Sequence, residues 1–195
     1  MNKLGIGLAL LAITTAAPAT AQDAKRFAVE GPGMMTCAAF NAARADKGSA
    51  EYQRLLGYVE GYLTAANRYE PNTYDLTPWH NAVAFDLILD NHCTDHAEEQ
   101  LVTVVQRLVT AMKPFRVAQP STLVEVGDGT NSAYVYETIV KRAQAALKLK
   151  GLYRGAEDGE YSPAMRDALL AFQSDANLTR TGVPDPATLW TLLSP

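Results

Sequence analysis

The chain has 195 residues, of which 48% are hydrophobic and 19% are charged, and its formal net charge is −4. This is the composition of a globular protein, and the length suffices for one domain of ordinary size or for two small ones. The charge is mildly acidic and forms no basic stripe, which argues against nucleic acid and anionic lipid surfaces as partners.

Residues 1–21 have the three-part pattern of an export signal. Lys3 lies in a short polar start, residues 4–17 are mostly apolar, and Ala19-Thr20-Ala21 is a small-x-small cleavage site. The apolar run is too short for a good transmembrane helix, and an uncleaved amphiphilic tail is the alternative. We therefore expect a periplasmic protein of a Gram-negative-type bacterium, without a membrane anchor after cleavage. Losing Lys3 takes the net charge from −4 to −5.

The two cysteines, Cys37 and Cys93, are an even pair in an exported chain, and we expect them to form one disulfide. It would close a loop of 55 intervening residues, which by the loop-entropy model stabilises the fold by about 3–4 kcal/mol. A redox role is the alternative, but the chain has no Cys-x-x-Cys motif.

Residues 34–114 have the apolar periodicity of four helices. Thr36 is a candidate cap for a short first helix, and a second helix is expected over about 50–67. Gly57 and Gly61 lie four apart within the second helix. Because glycine inside a helix costs about 0.5–1 kcal/mol relative to alanine, a packing or binding reason is expected there.

The third helix is predicted to begin at Thr77-Pro78 and to reach Cys93. Its apolar residues are Val83, Phe85, Leu87 and Ile88. A fourth helix is predicted to begin at Asp95, with Glu98 three residues on as in a capping box, and to end at Pro114.

His92 and His96 lie four residues apart, a spacing that on a continuous helix would suit a metal. However, Asp95 has the position of a helix cap, so we expect the two histidines to straddle a bend, and Cys93 is used in the disulfide. We predict exposed corner histidines, with no metal site and no cofactor.

The surroundings of Cys37, the segment GYVEGYLTAANRY and residues 87–93 are similar to small exported helical proteins. These are the acid-stress chaperones of the HdeA type and the immunity proteins of toxin secretion systems. The resemblance covers roughly 34–114. It implies a chaperone or inhibitor role without catalysis, and it transfers no binding residue.

Residues 115–132 are rich in loop formers and are predicted to be a linker. Thr122 to Val126 has strand-like composition but no obvious partner strand. The segment is compatible with packing against either neighbouring domain.

Residues 133–195 are predicted to form three helices separated by turns at Gly151, Asp158-Gly159 and Gly182. Ser162-Pro163 and Asp185-Pro186 supply a cap followed by proline at the first helical position.

This region resembles the peptidoglycan-binding domain of bacterial wall hydrolases. The matching residues are Val140, Gln144, Leu147, Gly151-Leu152-Tyr153, Asp158-Gly159, Tyr161, Ala168, Phe172-Gln173, Leu178, Gly182, Asp185, Thr188 and Leu192. Ser162 and Met165 depart from the usual glycine and threonine of the family. The resemblance covers roughly 134–195 and implies a non-catalytic module that anchors to the wall.

A binder of glycan strands or stem peptides needs aromatic faces and hydrogen-bonding groups around a shallow groove. Tyr153, Arg154, Asp158 and Tyr161 are the candidate peptidoglycan-binding residues, with Arg154 available to a peptide carboxylate. The alternative is that Tyr153, Asp158 and Tyr161 build the turn and cap the core. Gln173 is expected to be buried.

We expect no enzyme, because the chain lacks a His-Glu-x-x-His motif, a Gly-x-Ser-x-Gly elbow and a phosphate-binding glycine loop. The predicted fold is all-α: a disulfide-stapled four-helix domain followed by a three-helix domain. The predicted function is a wall-binding protein whose N-terminal domain contacts a protein partner. The alternative is a periplasmic acid-stress chaperone or immunity-type protein whose C-terminal module no longer binds wall.

Overall fold

The computed structural model describes residues 27–129 and 131–194, so the predicted export signal lies outside the described residues. Two short 3-10 helices cover Gly31–Met34 and Lys113–Phe115. The other elements are α1 (Cys37–Arg44), α2 (Ala50–Tyr69), α3 (Ala82–Asp95), α4 (Leu101–Met112), β1 (Leu123–Asp128), β2 (Asn131–Tyr136), α5 (Glu137–Leu149), α6 (Pro163–Asp175) and α7 (Pro186–Leu193).

The first two helices form where the sequence predicts them. The Thr36 hydroxyl accepts a hydrogen bond from the backbone N–H of Ala39 and so caps α1. In α2, Gly57 and Gly61 face solvent and the space beside each is open. Within the described residues, therefore, no helix makes the close approach that these glycines would permit.

The start of α3 differs from the prediction at Thr77-Pro78. The helix begins at Ala82, and the side chain of Asn81 caps it by accepting from the backbone N–H of Ala84. Residues 77–80 form a turn instead, because Trp79 is buried in a different core from that of α3. Two residues of the predicted apolar set, Val83 and Leu87, are exposed.

The predicted start of α4 at Asp95 is also wrong. Asp95 is the last residue of α3, and α4 begins six residues later at Leu101. The backbone N–H of Cys37 donates to the carbonyl of Glu99, so the intervening turn pairs with the start of α1 and does not become helical. The buried face of α4 is apolar. It comprises Leu101, Val104, Val105, Leu108 and Val109.

A first hydrophobic core joins α1, α2, α3 and α4. Among its members are Phe40, Leu55, Leu89, Leu101 and Val105. The predicted disulfide between Cys37 and Cys93 is present and ties α1 to α3 within this core.

Asp86 is the buried charge of the first core. Its carboxylate accepts hydrogen bonds from Arg44, Lys47 and the Tyr52 hydroxyl at 2.6–2.9 Å. Burial alone would raise the pKa of Asp86, but the hydrogen bonds from Arg44, Lys47 and Tyr52 outweigh it and hold the pKa at about 2. The Asp86 carboxylate is therefore compensated by its partners, and its hydrogen bonds connect α3 to α1 and α2.

The all-α prediction needs one correction, because β1 and β2 form a small antiparallel sheet. Leu123 pairs with Tyr136 and Asp128 with Asn131, so the partner that the strand-like segment lacked follows directly after the turn. Gly129 has a φ of 43°, in the left-handed region that a tight turn requires. Val126 and Val135 are buried on the same side of the sheet.

A second hydrophobic core joins the hairpin to α5, α6 and α7. It includes Val126, Val135, Ile139, Leu147, Met165, Leu169 and Leu189. The predicted caps are confirmed, since Ser162 and Asp185 accept from backbone N–H groups of α6 and α7.

The two cores meet through aromatic side chains. The ring centroid of Trp190 in α7 lies 5.7 Å from that of Phe115 and 6.1 Å from that of His80. Arg142 of α5 donates to the backbone carbonyls of Phe115 and Arg116 at 2.6 and 2.9 Å. Among residues 27–129 and 131–194, no helix has both the length and the apolar character needed to cross a bilayer.

Candidate functional site

The loop between α5 and α6 is organised by Gln144, which is fully buried. Its Nε2 donates to a carboxylate oxygen of Asp158 at 2.8 Å and to the carbonyl of Glu160 at 3.1 Å. Its Oε1 accepts from the backbone N–H of Gly159 at 2.9 Å. One side chain therefore fixes both sides of the Asp158-Gly159 turn, where Gly159 has a φ of 84°.

Gln173 repeats this arrangement one helix later. Its Oε1 accepts from the N–H of Gly182 at 2.8 Å, and its Nε2 donates to the carbonyl of Val183 and to the hydroxyls of Thr181 and Thr188. The expectation that Gln173 is buried is confirmed. The equivalent role of Gln144 was missed, although both glutamines precede a turn glycine in the sequence.

Two of the predicted site residues, Tyr153 and Tyr161, hold the loop through their hydroxyl groups. Tyr153 is buried, and its hydroxyl donates to the carbonyl of Ala156 at 3.0 Å. Tyr161 is half-buried, and its hydroxyl donates to the carbonyl of Gly182 at 2.8 Å. Burial raises the pKa of Tyr161, which favours the protonated hydroxyl that donates this bond.

Asp158 and Arg154 are exposed. The backbone N–H of Glu160 and the amide of Gln144 donate to the Asp158 carboxylate and lower its pKa. The Arg154 guanidinium has no ion pair or hydrogen bond with any residue that the structure describes. Of the four predicted site residues, Arg154 is therefore the one with an exposed and uncommitted charge.

A shallow depression of about 330 Å³ lies beside this loop, where the end of α5 meets the end of α6. It is lined by Lys150, Leu152, Phe172, Asp175 and Ala176. The Lys150 amine lies 5.7 Å from the centre of the Phe172 ring. None of the four predicted residues lines it, but Leu152 is two residues from Arg154 in the chain. No sequence pattern distinguishes Leu152 and Phe172 from ordinary core residues.

The histidine pair occupies the end of α3, not a bend. Because α3 continues through Asp95, the rings of His92 and His96 stack with centroids 4.2 Å apart. His92 Nε2 lies 2.6 Å from a carboxylate oxygen of Glu99, which also pairs with Arg107. No group of three or more His, Cys, Asp or Glu residues in the described ranges could hold a metal ion.

Comparison with known proteins gives one match. No curated protein and no solved structure matches the chain, and nothing found supports the resemblance expected for residues 34–114. Residues 137–192, which span α5, α6 and α7, match the family model described as "Putative peptidoglycan binding domain". This match indicates peptidoglycan binding and association with the cell wall for the C-terminal part of the chain.

Proposed function

We propose that this is an exported, non-catalytic protein that binds peptidoglycan through its C-terminal domain, residues 133–195. The observation that carries the proposal is the family match over residues 137–192. The N-terminal pattern of an export signal agrees with it, because peptidoglycan lies outside the cytoplasmic membrane.

The ligand face that we propose combines Arg154 with the depression at the ends of α5 and α6. Stem peptides carry carboxylates, amides and short apolar side chains. Arg154 and Lys150 offer positive charge to a carboxylate. Leu152 offers apolar surface, and the buried ring of Phe172 lies behind it. Tyr153, Asp158 and Tyr161 contribute by fixing the loop that carries Arg154, through the hydrogen bonds described above.

For the N-terminal domain, residues 34–114, we propose contact with a protein partner. The supporting observation is an apolar strip on α3. Val83 and Leu87 lie one helical turn apart and are 67% and 56% exposed. A partner that covered both side chains would remove their apolar surface from water, which favours association.

Co-sedimentation with purified, protein-free sacculi tests the wall-binding proposal. The chain from residue 22 should pellet with sacculi, and the double variant Arg154→Ala/Lys150→Ala should bind about tenfold more weakly, as expected for losing charge-assisted hydrogen bonds. Arg54→Ala is the matched control, because Arg54 is exposed on α2 in the other part of the molecule.

Two results would contradict the proposal. Absence of pelleting by the unsubstituted chain would remove wall binding altogether. Equal pelleting by the double variant and the Arg54→Ala control would leave wall binding in place but move it away from the proposed face.

A further inference from the structure

A second groove lies on the N-terminal part of the molecule, between the last turns of α2 and the C-terminal half of α4. Its volume is about 490 Å³, within the range of pockets that hold small ligands, and it is open to solvent along its length. It shares no residue with the segment 137–192 that matches the family model.

Two tyrosines supply the aromatic surface of this groove. Tyr62 and Tyr69 line it from α2, and Tyr69 is 76% exposed. The guanidinium of Arg68 lies 5.5 Å from the centre of the Tyr69 ring, an arrangement that steadies an otherwise free side chain. An exposed ring with a hydroxyl at its tip offers an apolar face and a hydrogen-bonding group together.

The rest of the groove is apolar at its base and neutral at its polar positions. Ala65, Ala66 and Val109 provide small apolar surface, and Gln106 provides an amide. No hydrogen bond from any described residue engages the Gln106 side chain.

The carboxylate of Glu70 at the end of the groove does not offer a free negative charge. It pairs with the amine of Lys113 at 2.8 Å. Among the residues that line the groove, none therefore presents an uncompensated charge to a ligand; the Arg68 guanidinium lies outside the lining, over the Tyr69 ring.

We propose that this groove binds a neutral saccharide that carries N-acetyl groups. Sugar rings present C–H faces that stack on aromatic rings such as Tyr69, and an acetamido group pairs an amide with a methyl group. The side-chain amide of Gln106 suits the amide of the acetamido group, and the surface of Ala65 and Ala66 suits its methyl group. No lining residue offers a free charge that would compensate the desolvation of an ionic ligand.

This inference goes beyond wall binding by the C-terminal domain, because it assigns a separate ligand site to the N-terminal domain. If both sites engage the same polymer, the second contact becomes intramolecular and the two weak affinities reinforce each other. The groove can nevertheless bind a soluble saccharide whether or not the C-terminal domain binds wall.

The test is a titration of the chain from residue 22 with chitotetraose, a β-1,4-linked tetramer of N-acetylglucosamine, followed by amide chemical shifts. Shifts are expected in residues 62–70 and 106–110. Tyr69→Ala should weaken the affinity about fivefold or more, as for the loss of one aromatic contact. Tyr134→Ala is the matched control, since Tyr134 on β2 is also 70% exposed but lies outside the groove.

Cellotetraose, which has the same linkage without acetamido groups, tests the ligand class. It should bind at least several-fold more weakly, and equal binding would overturn the role given to the N-acetyl group. Absence of chitotetraose shifts in residues 62–70 and 106–110 would overturn the site itself. Because amide shifts are read residue by residue, shifts in residues 62–70 and 106–110 report this groove even when the chain does not pellet with sacculi, so failure of this site is distinguishable from failure of sacculus binding.

Discussion

Gln144 and Gln173 each satisfy, with one side-chain amide, backbone groups that a buried turn would otherwise leave unpaired. In both cases the Oε1 accepts from a glycine N–H and the Nε2 donates to the carbonyl of the next residue. Both glutamines are fully buried. The loops that follow α5 and α6 are therefore fixed from below by side chains, so their exposed residues keep a defined position.

The variant Gln144→Leu tests this role. Leucine has a similar volume but leaves the Gly159 N–H and the Glu160 carbonyl without their partner, so we expect a loss of about 2–4 kcal/mol from the free energy of unfolding. Gln53→Leu is the control, because Gln53 is exposed and makes one hydrogen bond to the Lys47 carbonyl; it should cost less than about 1 kcal/mol. Urea denaturation measures both, and equal losses would contradict the assigned role.

At the scale of single residues, the sequence predicts which positions are buried in a helix but not which contacts a loop residue makes. Apolar periodicity finds the buried positions of α5, such as Val140, Ala143 and Leu147, because one helix face repeats every three to four residues. It does not find the bond from Gln144 to Gly159, since these residues are fifteen apart in the sequence and the contact depends on how the loop after Leu149 folds back. For the same reason, the exposed state of Arg154 and the buried state of Tyr153 became visible only in the structure.

At the scale of elements, the same sequence pattern for the start of a helix predicts two helices correctly and a third incorrectly. A capping side chain followed by proline begins α6 at Ser162-Pro163 and α7 at Asp185-Pro186. Thr77-Pro78 does not begin α3, because Pro78 and Trp79 are buried and Trp79 belongs to the second core. Local propensity allows a helix to begin at Thr77-Pro78, but the tertiary packing of Trp79 overrides that propensity.

The disulfide is the covalent link between elements. It closes a long loop between α1 and α3 within the first core. We expect the double variant Cys37→Ala/Cys93→Ala to lose about 3–4 kcal/mol from the free energy of unfolding, since the unfolded chain regains the freedom that the cross-link removes.

Urea denaturation with and without reductant measures this contribution. The unsubstituted chain should lose stability in reductant, whereas the double variant should show the same midpoint in both conditions. A midpoint of the unsubstituted chain that does not change after complete reduction would contradict a stabilising role.

At the scale of the whole molecule, the segment predicted as a linker is packed against the second core. Val117 and Val126 are buried there. The backbone N–H of Val117 donates to the carbonyl of Asp75, which binds the segment to the N-terminal part as well. The sequence did not predict which domain this segment packs against, because a strand-like run with no visible partner strand is compatible with either domain.

His80 lies where the two cores meet. Its ring stacks on Trp79 and Phe85, with centroids 5.6 and 5.9 Å away, and meets the edge of Trp190. Its Nδ1 is buried and has no hydrogen-bond partner among the described residues. Burial lowers the pKa of His80 to about 4, and the nearby carboxylate of Asp75 opposes this shift only in part.

This arrangement predicts that the protein loses stability as the pH falls from about 6.5 to about 4. In that window the unfolded chain binds a proton at His80 that the folded protein excludes, so the free energy of unfolding falls as pH falls, by about 3 kcal/mol at most. Asp86 acts in a different window, because its pKa of about 2 lies below the ordinary aspartate value of 3.8. Its contribution is present above about 3.8 and is lost only as the pH falls toward 2.

The variant His80→Phe separates the effect of proton binding at His80 from the effect of the packing of its ring. Phenylalanine keeps an aromatic ring between Trp79 and Phe85 but cannot titrate, so the slope of urea midpoint against pH between 6.5 and 4 should become shallower. His96→Gln is the control, because His96 is exposed at the end of α3, and it should retain the slope that His80 causes. An unchanged slope in His80→Phe would show that the acid sensitivity arises elsewhere, and that the contact between the two cores does not depend on a neutral imidazole.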